Sequence, residues 1–245
     1  MSRPPGTIIS GGRVTTTEAM LVALAGADVV FVGEKHDDPL AHEWELFIWR
    51  SLASPDRSLA LEMFETDVQD LLDGYLAGEI SREFFLMGAR PWPNYEEAYA
   101  PLVELAAERG LRVTAANVPR PLAAAVARGG WEALEAHDLS ASLAVDASNA
   151  AYRERFLATV GSPGEGMHAM RLDPMNLYRA QLLKDAVMAA SVAGLRCVLV
   201  CGCFHSDFRS GIPDQLPAGT THLTVKVIPE GERPDPSAAD FLITR

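Results

Sequence analysis

Two stretches, Asp28-Val-Val-Phe-Val-Gly-Glu-Lys-His36 and Arg196-Cys-Val-Leu-Val-Cys-Gly-Cys-Phe-His205, decide the fold. In each, a short apolar run passes without a polar break into a glycine, and a histidine follows three residues later. Apolar runs of this length, bounded by turn residues, are the pattern of strands buried on both faces. Ser58–Glu62 and Leu111–Ala116 repeat it. Longer segments with helical spacing separate the four runs, so strands and helices alternate. The class is α/β: a largely parallel central sheet with helices on both faces and a ligand site at the carboxyl edge of the strands.

Working outward, Thr15 with Glu18 reads as a capping box and Gly26 as the stop of a first helix. Asp38-Pro39 opens a second helix, with Leu40, Trp44, Phe47 and Ile48 on its inner side. Further helices are expected at Asp67–Leu76, Ser81–Met87, Tyr95–Arg109, Pro121–Arg128 and Pro174–Ala190. Thr221–Ile228 alternates apolar and polar residues as an edge or antiparallel strand would. The glycine-rich stretch Gly161–Met170 reads as a loop, and a lid or insertion is expected around 140–175 of a single domain spanning 1–245.

The chain carries 21 Lys and Arg against 33 Asp and Glu, a net charge of −12 over 245 residues. That balance, without a basic run, argues against nucleic acid and anionic membranes and for a small-molecule or peptide substrate. No apolar run is long enough to span a bilayer, so membrane insertion is not expected. Three cysteines bunched at 197, 201 and 203, with no signal peptide in the chain as given, point to a reducing, cytoplasmic setting.

The chemistry lies where polar residues meet the strand ends. The first strand ends in Gly33-Glu34-Lys35-His36, the second in Glu62, the third in Asn117, and the fourth in Gly202-Cys203-Phe204-His205. Imidazoles and carboxylates converging there suit a divalent ion, Zn, Mn or Fe. His36 and His205 with Glu34 or Glu62 are the expected ligands, and His42, one turn into the second helix, is a further ligand or a group behind them. The remaining glutamate would act as base on a metal-bound water, and Asn117 and Arg120 would stabilise the oxyanion. Cys201, Cys203 and His205 would share a face if the strand continued past Gly202. On the last long helix, Tyr178, Gln181 and Asp185 form a polar stripe that either faces solvent or holds a ligand in the cleft. Met167, His168 and Met170 are residue types able to ligate haem iron.

These residues carry a resemblance. Gly33-Glu-Lys-His-Asp37 with His42, Ala60-Leu-Glu-Met-Phe64, Asn117-Val-Pro-Arg120, Ala180-Gln181 with Asp185, and Gly202-Cys-Phe-His205 followed by Gly211-Ile-Pro213 resemble, in this order, the ChaN-like haem-binding-uptake proteins of the Tiki superfamily. The resemblance implies an α/β fold with the paired Gly-x-x-His motifs at one sheet edge. Its Tiki branch implies a metal-dependent amide or ester hydrolase with ligands on His36, His205 and a glutamate. Its ChaN branch implies a homodimer that binds haem cofacially through a tyrosine, open here between Tyr178, Tyr152 and the other three tyrosines; a haem carrier of this kind would use that tyrosine and His168 at a dimer interface.

Overall fold

The computed structural model describes residues 2–135, 143–161 and 172–245. The runs read as strands form them: β3 (Val29–Glu34), β4 (Ser58–Glu65), β5 (Val113–Asn117) and β6 (Cys197–Gly202). With β1 (Thr7–Ser10), β2 (Arg13–Thr15), β7 (His222–Val227) and β8 (Phe241–Thr244) they make one eight-stranded sheet in the order β2-β1-β8-β7-β3-β6-β4-β5. The pairings from β8 to β5 are parallel, and β1 is antiparallel to both of its neighbours.

Side chains alternate across each strand, and both faces are covered. Val30, Val32, Leu61 and Val200 join a core with the helices α1 (Thr17–Gly26), α2 (Pro39–Leu52), α3 (Gln69–Leu76), α4 (Arg82–Ala89) and α6 (Ala100–Arg109). Val29, Phe31, Ala60 and Leu199 face the other way, onto Met188, Ala189 and Val192 at the end of a long helix. Among the described residues two short helices and three longer ones follow: α5 (Tyr95–Ala98), α7 (Arg120–Gly129), α8 (Ala150–Gly161), α9 (Pro174–Ser191) and α10 (Ile212–Gln215). No helix among the described residues is long and apolar enough to cross a membrane.

Three expectations need correction. Thr16 rather than Thr15 caps α1, its hydroxyl accepting from Ala19 N–H. The helix expected over Tyr95–Arg109 is interrupted at Tyr99. Pro101 accounts for the break: it has no N–H to donate and its ring clashes with the turn before it, so a new helix starts there. β7 is an interior parallel strand, not an edge or antiparallel one. Its alternating polar residues are buried with dedicated partners: Lys226 Nζ pairs with Asp207 at 2.9 Å and Glu232 at 3.0 Å, and Thr224 with Asp240. The expected loop over Gly161–Met170 lies outside the described residues save Gly161, which ends α8. In the described part of 140–175, α8 stands within the expected lid or insertion.

Candidate functional site

β3 and β6 run side by side in register, Gly33 opposite Cys201 and Glu34 opposite Gly202, so the two Gly-x-x-His motifs leave the sheet together. Gly33 is packed so closely that a Cβ there would sit 3.1 Å from the Cys203 backbone. A Cβ on Gly202 would lie 3.0 Å from His36 Cε1 and Nε2 and 3.6 Å from Glu62 Oε2. Both positions therefore favour glycine for contact rather than for backbone angle. Past Gly202 the chain enters a 3₁₀ turn, Cys203–His205, which ends the strand and takes Cys201 and Cys203 off a shared face with His205. All three cysteines are free.

The result is a row of alternating carboxylates and imidazoles along the strand ends. At one end Asp185, from α9, accepts from Tyr152 Oη at 2.6 Å and from His205 Nδ1 at 2.5 Å. His205 Nε2 lies 3.2 Å from Glu62 Oε1, while Glu62 Oε2 accepts the Gly202 N–H at 2.7 Å. The register of β4 against β5 shifts between Leu61 and Glu65, the stretch that carries Glu62. Gln181 Nε2 donates to Tyr152 Oη at 3.2 Å, so the polar stripe of α9 faces the cleft through Gln181 and Asp185.

Across Gly202, His36 Nδ1 donates to Glu34 Oε1 at 2.8 Å, and Tyr99 Oη donates to the same oxygen at 2.6 Å. Asn94 holds the His36 carbonyl at 2.7 Å, and Trp92 packs edge-on to its ring at 4.5 Å. His42 places Nδ1 3.2 Å from Glu34 Oε2 and 3.1 Å from Glu45 Oε2, with Nε2 3.2 Å from the His36 carbonyl.

Electrostatics divides the row. Burial opposes the charge on His205, but the carboxylates of Glu62 and Asp185 outweigh it and push its pKa up to about 10. Burial likewise opposes ionisation of Glu62, yet His205, the Gly202 N–H and His36 bring it down to about 2. Asp185 is raised by its complete burial, with His205 pulling the other way. His36 is raised: desolvation works against its charge, and Glu34 and Glu62 prevail. Glu45, fully buried beside Glu34, is pushed well above the usual carboxylate range by that burial and by the neighbouring carboxylate.

The expected metal ligands His36, His205, Glu34, Glu62 and His42 are thus neighbours along the strand ends. His36 and Glu62 both lie against Gly202, and both nitrogens of His205 already face carboxylates. Asn117 spends its side-chain oxygen on the Val118 N–H at 2.9 Å. Arg120 is paired with Glu65, Nε to Oε1 at 2.9 Å, so its charge is already neutralised. Tyr178 and Tyr152 are buried; the Tyr178 hydroxyl has no hydrogen-bond partner among the described residues, and burial raises its pKa. Met167, His168 and Met170 lie outside the described residues.

Glu45, Tyr99, Trp92 and Asn94 were not legible as site residues. His42 and Glu45 stand three apart on one helix face, the reverse of the Glu-x-x-His order of bundle metal sites, and that i, i+3 pairing is the one signal the sequence offers. His36 and His42 also border an open groove of 1350 Å³. Its walls include Pro4, Pro39, Leu46, Trp92 and Pro93; the cations Arg3 and Lys35 stand there beside the carboxylates of Asp37, Glu43 and Glu97, with Lys35 paired to Asp37 at 3.5 Å.

No curated protein sequence matches the chain. Among solved structures it is similar to ChaN of Campylobacter jejuni, described as showing cofacial heme binding, at 19% identity and a TM-score of 0.78, with 97% of this chain and 96% of that one covered. The type III effector HopBA1 aligns at 13% identity over 92% of this chain and 90% of that one, with a TM-score of 0.48, too low to establish a common fold. Residues 20–216 match the family described as haem-binding uptake, Tiki superfamily, ChaN, and the chain belongs to that family.

Proposed function

We propose that this protein binds haem, in the groove beside His36. Haem needs an apolar slot for its macrocycle, cations for its propionates and a nitrogen or oxygen donor for its iron. The groove offers all three: walls of Trp92, Leu46 and prolines, the cations Arg3 and Lys35, and the imidazole of His36, whose side chain is 46% exposed. The observation that carries the reading is the Glu34–His36 hydrogen bond. Donating Nδ1–H to a carboxylate fixes the tautomer that leaves Nε2 as the free lone pair and raises its basicity as a ligand. The haem-binding description of the family and of the Campylobacter jejuni relative supports the same assignment. That relative's cofacial arrangement further suggests two copies of this chain meeting face to face over their haems.

The haem-binding description of the family and of its structural relative favours binding over hydrolysis. Adding hemin to purified protein tests the reading: a Soret band should appear stoichiometrically and be lost or shifted in His36→Ala. An unchanged hemin spectrum would contradict it.

A further inference from the structure

Behind the groove wall lies a second arrangement that haem binding does not use. His42 Nε2 sits 3.2 Å from the His36 carbonyl, and a carbonyl can only accept, so the proton of the neutral ring is on Nε2. Nδ1 is then a lone pair, and it points between two buried carboxyl groups, Glu34 Oε2 at 3.2 Å and Glu45 Oε2 at 3.1 Å. A ring lone pair and two buried carboxyl groups thus face one another around one point.

Two further oxygen observations point the same way. Among the described residues, Glu34 Oε2 and Glu45 Oε1 are buried without any hydrogen-bond partner, on side chains that are 1% and 0% exposed. Leaving such atoms unpaired costs about 1–3 kcal/mol each, more when charged. The spacing also fits an ion. Ligand atoms at about 2.1 Å from one centre lie roughly 3.0–3.4 Å apart in octahedral to tetrahedral geometry. One donor atom from each of Glu34, His42 and Glu45 falls within a 4.8 Å cluster.

We infer that Glu34, His42 and Glu45 form a binding site for one divalent transition-metal ion, Zn²⁺ or Mn²⁺, separate from haem. One imidazole and two carboxylates match the borderline hardness of these ions. The supports around the ligands are in place as well. Tyr99 and His36 both bond the other oxygen of Glu34, and the His36 carbonyl orients His42. Such outer contacts fix ligand geometry and commonly govern metal affinity by 10–100-fold. His42 borders the groove, which supplies a path for the ion and room for water at its open positions. A bound ion would also brace the His36 backbone through His42, so the metal would hold in position the imidazole proposed for haem.

The test is titration of haem-free, chelator-treated protein with MnCl2 and ZnCl2, followed by calorimetry and, for Mn²⁺, by loss of the free-ion EPR signal. The expected result is one ion per chain, bound at least about tenfold more weakly by Glu45→Gln. Tyr99→Phe, which keeps all three ligands but removes a hydrogen bond to Glu34, should weaken binding by a similar factor. Circular dichroism establishes that each variant is folded. No binding by the folded wild-type protein at millimolar metal, or equal affinity in folded Glu45→Gln, would overturn the site. Because the readout is the ion and not the Soret band, failure of the haem reading would leave this isotherm unchanged.

Discussion

The imidazole of His36 rests directly against Gly202: any side chain at 202 would begin 3.0 Å from Cε1 and Nε2 of the ring. The second Gly-x-x-His motif thus makes room for the histidine of the first. Gly202→Ala should push His36 out of its bond with Glu34, with an overpacking cost of about 1–3 kcal/mol. Thermal unfolding measures the cost, and hemin titration should show weakened binding. A variant as stable as the parent, with unaltered haem affinity, would contradict the contact.

His205 is held between two buried carboxylates, so removing it should be costly. His205→Ala leaves Glu62 and Asp185 facing each other without the intervening cation, and a loss of about 3–5 kcal/mol is expected. Asp185→Asn should cost less, because the amide can still accept from His205 or Tyr152. Urea unfolding of the two variants checks the order.

The same pair sets a pH dependence. His205 rises from 6.5 to about 10 on folding, so its contribution is complete below pH 6.5 and is lost as pH climbs toward 10. Glu62 falls from 4.5 to about 2, so its contribution holds above pH 4.5 and is lost as pH drops toward 2. The pair is at full strength between these limits, from pH 4.5 to 6.5. Asp185, raised by burial, works in the opposite sense above the carboxylate range. Urea midpoints should fall between pH 6.5 and 10 in the parent and fall less in His205→Gln. Equal slopes would exclude this pair as the cause.

Tyr178 offers a contrast. Its buried hydroxyl has no partner among the described residues, so Tyr178→Phe should be neutral or stabilising by up to about 1 kcal/mol. It should also leave the haem spectrum unchanged, since the phenol does not border the groove. Loss of the Soret band in this variant would return the iron to a tyrosine.

The sheet was readable because its central strands are buried on both faces, and Val29–Val32 and Val198–Val200 advertise that without ambiguity. The position of the site followed from parallel strands ending at one edge. What could not be read was how the polar groups pair. Lys226 and Thr224 made an interior strand look half-solvated, because a paired buried charge and an exposed one are the same letter in a sequence. Arg120 looked available for an oxyanion until Glu65, a carboxylate three residues beyond Glu62, was seen to hold it. Glu45 was hidden by its place in a helix where acids normally face water. β8, only four residues long, is a strand by virtue of its neighbours β7 and β1.

The most direct measurement of the central claim is the absorption spectrum of the purified chain titrated with hemin, alongside His36→Ala prepared in the same way. The account predicts a Soret band saturating at one haem per chain in the parent, and a shifted band or none in the variant. A parent that leaves the hemin spectrum unchanged, or a variant that reproduces the parent's titration, would contradict it.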